Sequence, residues 1–223
     1  MSYFSDAHRF RKTIAGLCMI GAPALFLIAS LTTPGVAADE GAQVGLIAGD
    51  PDAWVTSEIL LLAAWGLFIP AVMGLMHMLR ERGAAEGNLG GALAITGTAA
   101  AIAQVGFGLA LWQVAKTDVA QATTMLTGFA DSTIPALVLF ALPLGVTVGA
   151  VVLTWALYRH HLAPTWTAAV IGASAILFAV ASINSTQELF IASSAALLVG
   201  LGALGLRVLG EPVEDWEHTP VLG

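Results

Sequence analysis

Charge is scarce in this chain. Only 10% of its 223 residues are Asp, Glu, Lys or Arg, where a soluble domain carries about 25%. With 57% hydrophobic residues and a mean hydropathy of +0.85, the side chains cannot cover a globule in polar groups. Lipid must cover it instead. A single cysteine, Cys18, excludes a disulfide framework and a cysteine-only metal site. The 8 basic residues are scattered, which excludes a nucleic-acid footprint. Phosphate-binding glycine loops, the zinc-protease helix motif and the Gly-x-Ser-x-Gly elbow are missing as well. No acid, base and nucleophile share one depth, so an enzyme is not expected.

What is present is a series of apolar runs, at 13–32, 55–78, 89–113, 133–158, 167–181 and 189–206. Each is near the ~20 residues that a helical span needs. They predict an all-α, polytopic transmembrane bundle of six helices, forming one domain over residues 1–209. An acidic tail, 210–223, is expected to be disordered and cytoplasmic. The first run follows Arg9, Arg11 and Lys12 and is longer than the apolar core of a signal peptide, so it is expected to be an uncleaved span.

Basic residues set the orientation. Arg9, Arg11, Lys12, Arg80, Arg82, Arg159 and Arg207 fall on one side of a six-span arrangement, and only Lys116 falls on the other. The opposite side carries Asp39, Glu40, Asp50 and Asp52. Cations are retained inside, which predicts both termini in the cytoplasm and a bacterial cytoplasmic (inner) membrane location. Trp54, Trp112, Tyr158 and Trp166 mark span ends, as interfacial aromatics do. Trp65 and Trp155 lie deeper and are expected to pack between helices. The 33–54 loop is long enough for a small cap or a short interfacial helix. Three outward hairpins, each returning helix opening near an acid and ending at an arginine, fit a parallel repeat. The charge rule alone produces part of that pattern.

Those acids, Glu58, Asp131 and Glu188, have two readings. As caps, Asp131 and the Ser185–Glu188 box suit helix N-termini. As a ring around an outward vestibule, joined by Gln113, Asn184 and Gln187, they would attract a cation or an amine. Glu58 is the strongest candidate, because an ionised group inside the apolar boundary is costly unless partnered. Gln104 is a long polar side chain in mid-span, with Thr147 and Thr154 as candidate hydrogen-bond partners. His77, with His160 or His161, sits at similar depth on two helices, the arrangement that haem or metal ligation requires. All three also lie beside arginines at the interface, where histidine is ordinary. Pro23, Pro70 and Pro143 are expected to kink spans. Pro135 lies near a helix start, where proline is normal, and Pro143 with Gly145 and Gly149 could instead open the fourth helix toward a cavity. Ser193, Ser194, Gly200, Gly202 and Gly205 give the last span a small-residue face, for packing inside the chain or against another.

The stretch Ala156-Leu157-Tyr158-Arg159-His160-His161-Leu162-Ala163-Pro164-Thr165-Trp166, a span end, a basic turn and Pro-x-Trp opening the next span, resembles an inner turn of uncharacterised multi-span inner-membrane proteins of high-GC bacteria. Met76-His77-Met78-Leu79-Arg80-Glu81-Arg82-Gly83 is similar to their other inner turn. The resemblance implies a multi-span fold and carries over no functional residues. Three functions remain open. The first is binding or transport of a small molecule or cation through an outward vestibule. The second is a non-catalytic accessory subunit that meets a membrane partner or a second copy. The third is a haem-binding redox protein.

Overall fold

The computed structural model describes residues 7–138 and 142–217. The described residues are almost wholly helical: α1 (Ala7–Thr32), α2 (Glu40–Gly49), α3 (Pro51–Leu79), α4 (Ala84–Ala115), α5 (Val119–Asp131), α6 (Thr133–Ala136), α7 (Gly145–Arg159), α8 (Thr165–Asn184), α9 (Gln187–Gly210) and α10 (Val213–Glu217). Helix is what hydrocarbon demands, because no water is there to satisfy backbone N–H and C=O groups. Five of these helices, α1, α3, α4, α8 and α9, are long and apolar enough to cross a membrane. The outer faces carry Leu31, Met73, Leu89, Ile183 and Leu206, each more than half exposed. These are the surfaces of a multi-pass membrane protein, with lipid as their solvent.

The long helices and α7 form a closed ring: α1 against α3, α3 against α4, α4 against α7, α7 against α8, α8 against α9, and α9 back against α1. Neighbours run antiparallel. Ser30 near the end of α1 meets Ser194 near the start of α9, 3.2 Å between hydroxyls, while Gly16 and Gly205 meet at the opposite end. The tightest seam is α4 on α7. A methyl group at Gly149 would lie 2.4 Å from the Ala94 nitrogen, and one at Gly97 would lie 2.4 Å from the Val146 nitrogen. Backbone touches backbone there, as small residues allow in membranes. The small face of α9 is likewise consumed inside the chain, Gly200 against Ile171 and Gly205 against Gly16.

The fourth apolar run is not one helix. It breaks into α6, a 3₁₀ turn at Leu142–Leu144 and the 15-residue α7. Pro143, in the 3₁₀ turn, lacks the N–H that a continuing helix would donate, whereas Pro135 sits in the first turn of α6, where proline is tolerated. Pro23 and Pro70, by contrast, sit inside unbroken helices. Trp65 is buried as expected, but Trp155 is 58% exposed and faces outward, because α7 turns Leu153, Ala156 and Leu157 to the core.

At one end of the ring α2 and α5 pack on each other and on α4, burying Val44, Ile47, Leu111, Ala122 and Leu126. Both have sequence-encoded starts. Asp39 accepts from the Ala42 N–H at 2.7 Å, and Asp118 accepts from the Gln121 N–H at 2.9 Å.

The other end carries the arginines and is closed by the C-terminal segment. Part of the tail expected to be disordered is α10, with Trp216 2% exposed; residues 218–223 lie outside the described residues. The Trp216 ring stacks on His77 at 4.5 Å. The Arg80 guanidinium donates to the Trp216 carbonyl at 3.3 Å and to that of Glu217. Lys12, itself buried, donates to the carbonyls of Leu209 and Glu211. Cations at helix C-termini answer carbonyls that lack intrahelical partners. His8 lies 2.9 Å from Glu217, and its hydrogen bond holds the Glu217 carboxyl below the ordinary carboxylate range. A lowered folded-state pKa means stability that is present at neutral pH and lost as pH falls through that pKa. Trp216→Ala is expected to release α10 while the ring stays folded. Hydrogen exchange should then rise sharply over 211–217 and stay unchanged in α8; unchanged exchange over the tail would contradict this docking.

Candidate functional site

The ring is packed solid at the arginine end, around Met19, Leu75, Leu79, Leu153 and Leu204. It opens into a cavity of about 570 Å³ at the opposite end, beneath α2 and α5. That volume lies within the ~300–1,000 Å³ of ordinary small-molecule sites. Every ring helix contributes: Phe26 and Ser30 from α1, Ser57, Glu58 and Trp65 from α3, Gln104 and Gly108 from α4, Thr147 from α7, Ser174 and Phe178 from α8, Gln187 and Ser193 from α9. The wall is chiefly apolar and aromatic. Phe26 and Trp65 meet edge to face at 4.5 Å, Trp65 and Phe178 at 6.1 Å, and Phe178 and Phe190 at 5.8 Å.

Glu58 is the buried carboxyl within this wall, Glu40 being a half-buried one on α2. Glu58 is 7% exposed. Among the described residues its Oε2 is buried without a hydrogen-bond partner, and none of the cavity's lining side chains is basic. Two sequence features place it there. Asp50 accepts from the Ala53 N–H at 3.0 Å, and Pro51 opens the helix, so α3 begins earlier than the apolar run suggests. Glu58 therefore lies about two turns inside the helix, at ~3.6 residues per turn, rather than at its N-terminus. Opposite it, Gly108 leaves the room: a methyl group there would lie 2.8 Å from Glu58 Oε1.

Glu58, Gln104, Thr147 and Gln187 share this cavity. Gln187 donates to the Ser30 carbonyl at 2.6 Å, and its Oε1 is buried without a partner. Thr147 donates across to the Ala175 carbonyl at 3.3 Å. Gln113, Asp131, Asn184 and Glu188 do not line it and are exposed. Asp131 ends α5 rather than capping a helix start. The expected Ser185–Glu188 box is absent, because Ser185 closes α8 in the left-handed region, φ 49°, and Thr186 takes the N-cap position of α9. Thr154 bonds to its own helix, donating to Ala150 O at 2.8 Å, and does not reach Gln104.

The histidines are dispersed in role. His77 is engaged by Trp216, its Nε2 3.2 Å from the Trp216 carbonyl. His160 faces Glu86 at 3.6 Å, while His161 is exposed. Among the described residues no three His, Cys, Asp or Glu side chains cluster as a metal-ligand set. The aromatic wall was not readable from sequence as a site, since each ring alone looks like core. The Asp50–Pro51 helix start was the available signal for the depth of Glu58. No family model, no curated protein and no solved structure matches the chain.

Proposed function

We propose that the chain is a six-span protein of a bacterial cytoplasmic membrane that captures a small molecule from the outer side. In this reading α7, with the segment before it, completes the sixth crossing, and both termini are cytoplasmic. The arginines cluster at one end of the ring and Asp39, Asp50 and Asp52 lie at the other, which is the distribution that the positive-inside rule associates with inner and outer faces. The observation that carries the proposal is the cavity of about 570 Å³ with an unpartnered carboxylate in its wall. A chain that only packed helices would gain by filling such a space, since cavities in cores are destabilising. The small-residue face of α9, which an accessory subunit could offer to a partner, is occupied within the chain.

The orientation is tested with single cysteines, helped by the burial of Cys18. Ala38→Cys should react with an impermeant maleimide on intact cells, and Arg82→Cys only after permeabilisation. The reverse pattern would sink the topology. The capture reading is tested by native mass spectrometry of gently extracted protein. The native chain should carry a small non-lipid adduct, lost in Ala150→Phe, which projects a ring into the cavity. An adduct-free native chain, or one retained equally by the variant, would sink it.

A further inference from the structure

The polar atoms of the cavity are not balanced. The hydroxyls donate to protein: Ser57 to Trp54 O at 2.8 Å, Ser174 to Ile171 O at 2.7 Å, Ser193 to Ser174 O at 2.9 Å and Thr147 to Ala175 O at 3.3 Å. The Trp54 indole N–H points to Gly108 O at 3.4 Å. What remains buried and unanswered among these lining groups is a pair of acceptors, Glu58 Oε2 and Gln187 Oε1. A buried acceptor without a donor is costly, and a buried carboxylate more so. An anion would be repelled, and a neutral apolar molecule would strip the carboxylate of water and return nothing. A cation offsets the charge, whether or not it also carries an N–H to donate to an acceptor. The walls are also suited to a cation, because aromatic faces attract one. Phe26, Trp65 and Phe178 surround the apolar part of the space.

We infer that the cavity is a site for a lipophilic organic cation, an apolar body bearing one ammonium group, held by the Glu58 carboxylate against the aromatic wall and exchanging there with a proton. The inference rests on the capture reading and names its ligand class. Exchange follows from charge: the carboxylate is neutralised by the bound cation, or by a proton when the cavity is empty. Among the described lining residues the other titratable group is Glu40, half-buried on α2; the lining side chains of α1, α4, α5, α7, α8 and α9 carry no charge. Proton competition at the cavity is therefore assigned to Glu58, with Glu40→Gln as the control.

The test uses the full chain in nanodiscs and a matched pair of probes, phenyltrimethylammonium and its neutral isostere tert-butylbenzene. They differ in charge and hardly in shape. Binding is followed by fluorescence, since Trp54 and Trp65 line the cavity, and by thermal shift. The native chain should prefer the cation by about tenfold or more, equivalent to ~1.4 kcal/mol. Glu58→Gln should bring the two probes to near parity. The probe has no titrating proton, so its affinity should fall as pH drops from about 8 to about 5, because protons bind the group that the cation needs, and it should do so in Glu40→Gln as well. If tert-butylbenzene binds as well as the cation, or if Glu58→Gln keeps the preference, the cation inference fails while the capture reading stands. If neither probe binds the native chain, the cation inference fails, and the capture reading is left to its own adduct test. Should Glu58→Gln not fold, the pH series on the native chain decides alone, and a flat series overturns the inference.

Discussion

Glu58→Gln is expected to melt higher than the native chain when no ligand is present. The native carboxylate has a buried oxygen without a partner, and a group left in that condition costs of order 1–3 kcal/mol. An amide of the same shape removes the charge and keeps the packing against Gly108. For a chain of this size ~1 kcal/mol moves the midpoint by about 2–4 °C, so a rise of several degrees should be measurable by differential scanning fluorimetry in detergent. The gain should shrink as the buffer is acidified, because a proton then neutralises the native carboxyl too. Loss of ligand with gain of stability is the signature of a group retained for function. A lower melting temperature in the variant would mean that Glu58 holds the fold together, and the site would have to be sought elsewhere.

Gly149→Ala is expected to cost the chain most of its folded yield. A methyl group there would lie 2.4 Å from the Ala94 nitrogen and 2.5 Å from the Gly90 carbonyl oxygen. Neither atom is the mobile end of a side chain, so α4 and α7 must separate along their whole seam. Overpacking commonly costs ~1–3 kcal/mol, and a backbone contact this close leaves no cheap relaxation. The control is Gly66→Ala on α3, where nothing lies within 4 Å. There the higher helix propensity of alanine is worth at most ~1 kcal/mol in favour of the variant. Size-exclusion profiles of the two variants should differ plainly. Equal, monodisperse peaks would contradict the α4–α7 packing.

How much of this was legible in the sequence follows from which solvent writes which signal. Hydrocarbon demands long apolar runs, so α1, α3, α4, α8 and α9 could be read from hydropathy to within several residues at each end. The α5 helix could not, because Val119–Asp131 mixes threonines and glutamine with apolar residues and packs on α2 and α4 at the end of the ring. The break before α7 was hidden inside an apolar run, though Pro143 marked it. Three acids beside Ser or Thr looked alike, and local sequence could not separate them. The Asp50–Pro51 start sets Glu58 deep in α3, whereas Asp131 ends a helix and Glu188 faces out. Helix faces were equally hard to read. A membrane helix is apolar toward lipid and toward protein alike, so no moment distinguishes the side bearing Phe178 or Gln187 from the side bearing Ile183.

The seam between α1 and α9 has a consequence for biosynthesis. Of the ring helices α1 is made first and its neighbour α9 last, so the wall around the cavity stays unfinished until α9 has been made. Until then the flank of α1 that will meet α9, including Gly16 and Ser30, faces lipid or the insertion machinery. Closure then comes as a single late event, in which Lys12 and Ser30, near opposite ends of α1, engage partners made 197 and 164 residues afterwards.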